Sequence, residues 1–183
     1  MQTEILIAGF GGQGVLFAGQ LLAYAAMDSG LEVTWIPSYG PEMRGGTANC
    51  SVIISNEGIG APLVRHPRAV MAFNRPSLDK YEPLLVPEGT LIVNASIVDR
   101  AVQRADLQTV LVPANELAEQ IGDRRLANMV MLGALLANLP LLPENAIEKA
   151  LAEHLPARHH KLLPQNYQAL REGARFAPEG MHA

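Results

Sequence analysis

The stretch Thr3-Glu4-Ile5-Leu6-Ile7-Ala8-Gly9-Phe10-Gly11-Gly12-Gln13-Gly14-Val15-Leu16 decides how this chain folds. Ile5 to Ala8 is a short apolar run that stops at glycine, as a buried strand does. From Gln13 to Ser29 apolar residues recur at Val15, Leu16, Ala18, Leu21, Leu22, Ala25 and Ala26, which is helical spacing with one buried stripe. Gly30 is placed to stop that helix. Between strand and helix lies Gly9-Phe10-Gly11-Gly12-Gln13-Gly14, a G-x-G-x-x-G in the setting that gives the pattern meaning. Glycine admits positive φ and close backbone approach, and a helix N-terminus offers unbonded N–H groups to an anion. A phosphate or carboxylate is the natural guest, although a ligand-free tight turn would use the same glycines. Gly19, inside the helix, reads as a packing residue.

Downstream the pattern keeps alternating. Leu31 to Ile36 reads as a second strand, followed by a turn-rich run from Pro37 to Gly46. Asn49–Ser55, Ala69–Phe73, Thr90–Val93 and Gln108–Val112 read as four more strands, with a short helix opened by Pro76. From Asn115 the spacing is helical, clearest over Arg125–Asn138 and Asn145–His154. Strands alternating with helices predict an α/β fold, a Rossmann-like, doubly wound, mostly parallel sheet with flanking helices. No linker or repeat divides the chain, so residues 1–176 are expected to form a single domain, with 177–183 a loose tail.

In an open α/β sheet ligands gather outside the carboxyl ends of the strands. Two loops should meet there. One is the glycine loop, and the other is Pro37-Ser38-Tyr39-Gly40-Pro41-Glu42-Met43-Arg44-Gly45-Gly46. Ser38 and Tyr39 bring hydroxyls, Arg44 a guanidinium that can fork a phosphate or carboxylate, and Glu42 a carboxylate that could brace Arg44. The candidate binding residues are therefore Gly9, Gly11, Gly12, Gln13, Gly14, Ser38, Tyr39, Glu42, Arg44, Gly45 and Gly46. A nicotinamide dinucleotide is disfavoured, because the acidic residue expected near the end of the second strand is missing: Glu32 stands at its start. No Gly-Lys-Ser/Thr follows the glycines, which excludes a Walker-type loop.

The 183 residues carry 17% charged and 49% hydrophobic side chains, with mean hydropathy +0.12. That composition suits a sheet buried on both faces, or a subunit whose apolar surface meets partners. A net charge of −4 argues against a broad nucleic-acid or anionic-membrane footprint. No apolar run reaches the ~18 residues of a spanning helix, and no leader-like segment follows Met1, so a cytoplasmic location is expected. Cys50 is the only cysteine. An iron–sulfur cluster takes about four cysteine ligands, so this chain cannot hold one alone, and Cys50 reads as a small buried hydrophobe. His159-His160 is adjacent rather than spaced as metal ligands are, and reads as a solvent-facing pair. No metal site and no catalytic residue are assigned. Asn128, on an otherwise apolar helix, is expected to bond a nearby loop.

Ala8 to Val15 and the run Pro-Ser-Tyr-Gly-Pro-Glu-Met-Arg-Gly-Gly from Pro37 to Gly46 resemble the gamma subunit of 2-oxoacid:ferredoxin oxidoreductases. Asn74-Arg75-Pro76-Ser77-Leu78-Asp79-Lys80-Tyr81, Gly89-Thr90-Leu91-Ile92-Val93-Asn94 and Asn128-Met129-Val130-Met131-Leu132-Gly133-Ala134 continue the likeness in order, from about Ile5 to Ala137. The resemblance implies an enzyme complex that oxidatively decarboxylates a 2-oxoacid, 2-oxoglutarate favoured, to an acyl-CoA. Thiamine diphosphate, magnesium and iron–sulfur clusters would lie on partner subunits, alpha and beta and, if separate, a ferredoxin-like delta subunit, with ferredoxin as acceptor. This chain would contribute to CoA binding and to closure over the thiamine diphosphate site. It carries no Gly-Asp-Gly of the thiamine diphosphate kind. The competing readings are a nicotinamide-dependent dehydrogenase and a non-catalytic CoA- or nucleotide-binding module.

Overall fold

The computed structural model describes residues 2–40, 46–143 and 145–177. Its sheet has six strands: β1 (Gln2–Phe10), β2 (Glu32–Tyr39), β3 (Thr47–Ser55), β4 (Ala69–Ala72), β5 (Thr90–Asn94) and β6 (Gln108–Val112). They lie in the order β2-β3-β1-β4-β5-β6. β1, β4, β5 and β6 are parallel neighbours, and β3 runs antiparallel to both β1 and β2. The sheet is thus mostly parallel, as expected, with one reversed strand. Its cause is local: β2 and β3 form a hairpin rather than a strand–helix–strand unit, so β3 returns between β2 and β1.

Among the boundaries that differ from the sequence reading, two bear on the site. β2 does not end at Ile36 but runs through Pro37 and Ser38 to Tyr39, and β3 begins two residues earlier, at Thr47. Proline lacks a donor for the ladder and is tolerated on edge strands, and β2 is the edge. Ser38 and Tyr39 are therefore strand residues.

The helices are α1 (Val15–Asp28), α2 (Arg75–Tyr81), α3 (Ala114–Ile121), α4 (Ala127–Asn138), α5 (Ala146–His154) and α6 (Leu163–Gly173). α1 ends as its sequence suggests. Gly30 takes φ +79, its N–H bonds Met27 O, and the Leu31 N–H bonds Ala26 O, the paired closure of a Schellman motif. α2 starts on the Asn74 side chain, which accepts from the Ser77 N–H, with Pro76 in the first turn.

Helices cover both faces unequally. Ile5, Ile7, Cys50, Val52, Met71, Ile92 and Val110 point into one layer shared with α1, α3, α4, α5 and α6. Leu6, Ala8, Val70, Ala72, Leu91 and Val93 face a thinner layer made by α2 and the coil after β5. α4 is buried without interruption from Ala127 to Leu135, which explains why its sequence is apolar all round. The thin layer is pinned by Glu82, 2% exposed, whose carboxylate accepts the Arg104 N–H at 2.9 Å and pairs with Arg100 at 2.8 Å. A buried carboxylate persists only when compensated in this way.

Candidate functional site

The glycine loop leaves the carboxyl end of β1 and enters α1 through Gly14, whose φ is +73. No side chain caps this end of the helix, and no acidic residue sits in its first turn. The helix N-terminus keeps its positive partial charge and donors facing outward, the arrangement that attracts an anion. The Gly11 N–H donates to Gly46 O at 2.9 Å, which ties the glycine loop to the hairpin turn. At the other root of that turn the Gly40 N–H donates to Thr47 O at 2.7 Å. The expected meeting of the two loops is therefore present. Glu42, Arg44 and Gly45 lie outside the described residues.

The glycines serve different ends. A Cβ at Gly9 would fall 2.6 Å from Gln13 Oε1 and 2.8 Å from Phe73 Cβ, so Gly9 lets the strand pack against its neighbours. A Cβ at Gly14 would fall 2.4 Å from Asn128 Nδ2. Gly12 has φ +94 with nothing within 4 Å of a Cβ, and at Gly11 the nearest atom is Gly46 O at 3.8 Å. Nothing inside the described chain crowds Gly11 or Gly12; the space they leave faces outward.

Gln13 braces the loop. Its Oε1 accepts the Phe10 N–H at 2.6 Å and Asn74 Nδ2 at 3.3 Å, and its Nε2 donates to Phe73 O at 3.4 Å. Asn128 Nδ2 donates to Gly14 O at 3.3 Å, the loop contact expected of it. Ser38 and Tyr39 are exposed on the β2 edge, Tyr39 at 72%. Glu32 pairs in register with Ser55 at the opposite end of β2, away from both loops.

Two hollows adjoin Gly12. One, about 170 Å³, lies against Gln13, Phe73, Asn94, Asn115 and Arg124. The other, about 290 Å³, runs between Gly14, Phe17, Leu126, Asn128 and His159. Gly12 and Arg125 line both. Arg125 is paired with Asp123 at 2.6 Å, and this guanidinium holds the Asp123 carboxyl below its ordinary range. His159, half-buried, lines the second hollow, and His160 is exposed. The sequence alone gave no signal for Arg124, Arg125 or His159, because only the tertiary fold brings them to the glycines. A larger apolar hollow, about 540 Å³, sits near the carboxyl end of α4, lined by Leu136, Leu142, Ile147 and Leu170. No Asn or Gln side chain lines it, unlike the two hollows beside Gly12.

Cys50 is fully buried, its Sγ 3.8 Å from Val15 O, and burial pushes its thiol up to about 12. Metal ligation needs the thiolate, so the only cysteine does not fit an iron–sulfur cluster. No helix among the described residues is long and apolar enough to cross a membrane.

A six-stranded, mostly parallel sheet with flanking helices, its glycine loop bonded to the β2–β3 connection at one end, defines a Rossmann-like α/β domain. The family model described as pyruvate ferredoxin/flavodoxin oxidoreductase matches residues 4–176, and the chain belongs to that family. It is 38% identical over 181 residues to the ketoisovalerate oxidoreductase subunit VorA of Methanothermobacter thermautotrophicus, with 98% of this chain covered but only 37% of that subunit. The chain thus spans little more than a third of that relative. It is 36% identical to the 2-oxoglutarate synthase subunit KorC of Methanothermobacter marburgensis, covering 98% of this chain and 99% of the relative. Among solved structures, the gamma subunit of a keto/oxoacid ferredoxin oxidoreductase from Geobacter sulfurreducens superposes with a TM-score of 0.80 at 31% identity, over 94% of this chain and 96% of that one.

Proposed function

We propose that this chain is the gamma subunit of a multi-subunit 2-oxoacid:ferredoxin oxidoreductase, contributing phosphate contacts for CoA and closing over a thiamine diphosphate site held by partner subunits. One observation carries the reading: the Gly11–Gly46 bond joins two loops around an uncapped helix N-terminus, with open space above Gly12. Such a place suits an anion that must approach backbone closely. The phosphates of CoA meet that need, and they also give the domain a reason to sit beside an acyl-forming site.

The division of labour follows from what this chain lacks. One buried thiol cannot hold a cluster, so electron transfer to ferredoxin belongs to other subunits. Bound thiamine diphosphate would supply the chemistry that decarboxylates the oxoacid, and no step of it is assigned to residues of this chain. Its own residues bind and orient: Gly11 and Gly12 admit the phosphate, Gln13 holds the loop shape, and Arg44 adds a guanidinium from the turn. 2-Oxoglutarate is the favoured oxoacid: among relatives matched along nearly their whole length, the KorC subunit is 36% identical, against 31% for the pyruvate synthase subunit PorC of Thermotoga maritima.

The test is Arg44→Ala in the assembled complex. A hydrogen bond to a charged group is worth roughly 1.5–3 kcal/mol, or about a 10- to 150-fold loss. The CoA-dependent step should weaken by that factor, with oxoacid-dependent dye reduction in the absence of CoA affected far less. Loss of subunit assembly with intact CoA affinity would instead make the turn an interface element.

A further inference from the structure

At the end of the domain opposite the glycine loop, hollows open around the segment Leu139-Pro140-Leu141-Leu142-Pro143, which links α4 to α5. One, about 540 Å³, lies between α4 and α6, with Leu136, Ala137, Leu142, Ile147 and Ala174 in its walls. Arg171, the one charged residue lining it among the described residues, is already paired with Glu148 at 2.9 Å. Another, about 560 Å³, lies at the start of β1 against Gln2, Glu4, His66, Arg68 and Val86. Pro140 lines both, and Leu141 joins the second to a smaller hollow against Leu31 and Ile54. Pro140 and Pro143 are exposed, and the three leucines between and before them are half-buried. Apolar surface this continuous marks a place where another chain binds.

The VorA match points to the occupant. It runs over 181 residues and takes 98% of this chain but 37% of that subunit. A match of that length leaves no room for a long insertion, so the rest of VorA continues from one or both ends of the domain. Both ends of the described chain border this face. Gln2 lines the second hollow, and the Phe176 carbonyl accepts Asn138 Nδ2 at 2.8 Å, one residue before Leu139. Whichever end VorA extends, the added chain starts here. Charge narrows the partner further. His66 and Arg68 form no ion pair among the described residues, while Glu4 accepts Gln2 Nε2 at 3.0 Å.

We propose that this face docks a partner subunit of the complex, the counterpart of the part of VorA that lies beyond the matched domain. An apolar segment of that subunit seats against Pro140 and Leu142, with an acidic group facing Arg68. The proposal rests on the subunit reading above and adds which end of the domain is held. Holding the chain there leaves the glycine loop free at the other end.

The test titrates the full chain against the remaining subunits of its complex and reads the Kd. Ala137 is exposed in the wall of the first hollow, so Ala137→Arg fills it from the surface and should keep Tm within about 2 °C. It should weaken association by about 30-fold or more, the scale of a central interface residue. Arg68→Glu should slow association at low salt, a loss that shrinks as salt is raised. Leu111→Arg, on the edge strand β6 and 38% exposed in the parent, should bind within about twofold, as residues outside an interface do. Equal weakening by Leu111→Arg and Ala137→Arg would overturn the proposal. So would an Ala137→Arg chain that associates like the parent, while leaving the subunit reading intact. Dimers of the chain alone that Ala137→Arg dissolves would make the occupant a second copy and overturn it too. If the parent chain does not associate with those subunits at all, both readings fall.

Discussion

The glycines at the α1 entrance and those at the crossing of α4 with α6 use the same small residue for opposite purposes. At the crossing, a Cβ on Gly133 would fall 2.0 Å from Leu170 O, and one on Gly173 would fall 1.8 Å from Val130 O. Each glycine receives the backbone of the other helix, so the space is already filled by the protein. At Gly11 and Gly12 the corresponding space contains no atom closer than 3.8 Å. Glycines whose missing side chain is replaced by backbone hold the fold together. Those at Gly11 and Gly12 leave open space, which the proposed anion site would use.

This contrast can be broken most forcefully at the crossing. Gly133→Ala or Gly173→Ala overpacks a buried interface against backbone that cannot swing aside, which should cost about 3 kcal/mol or more. For a chain of this size that is a fall in Tm of roughly 6–12 °C, measurable by calorimetry. A variant that melts like the parent would show that α4 and α6 can separate freely, and the contrast would lose its structural half.

Gly19 sharpens the comparison from within α1. A Cβ there would lie 2.4 Å from Cys50 Sγ and 3.2 Å from Trp35 Nε1, side-chain atoms that can shift where backbone cannot. Gly19→Ala should therefore cost less, about 1–2 kcal/mol, and should loosen the packing around Cys50. In the parent protein burial holds the thiol up to about 12 against 9.0 for the free group. A raised folded value means that the neutral thiol's contribution is fully present below pH 9.0 and fades as pH rises toward 12. The native chain should resist a disulfide reagent at neutral pH, and Gly19→Ala should react measurably faster. Equal rates would indicate that the pocket around Cys50 does not depend on Gly19.

The glycine loop was legible in the sequence because strand, loop and helix are contiguous, and each carries its own periodicity. Gly30 could be assigned for the same local reason. The extension of β2 through Pro37 to Tyr39 was not legible, since proline argues against a strand unless the strand is known to be an edge. The reversed β3 followed from that same miss, because a turn starting at Pro37 hid the hairpin. At the site, the Gly11–Gly46 contact could be expected from two loops sharing one end of the sheet. The hollow beside Asn128 could not: Asn128 is 114 residues from Gly14 in sequence, and His159 lies on a 3-10 turn whose local pattern says nothing of its neighbours.

Gly11→Ala tests the central claim most directly, because Gly11 combines an uncrowded position with a place in the proposed anion site. Melting temperature and CoA affinity should be measured on the same preparation of the assembled complex. The ligand-site account predicts a Tm within about 2 °C of the parent, as expected for a change under ~0.5 kcal/mol at an uncrowded position, together with a loss of CoA affinity of about tenfold or more. Unchanged CoA affinity at unchanged Tm, or a collapse in stability like that expected for Gly133→Ala, would contradict it.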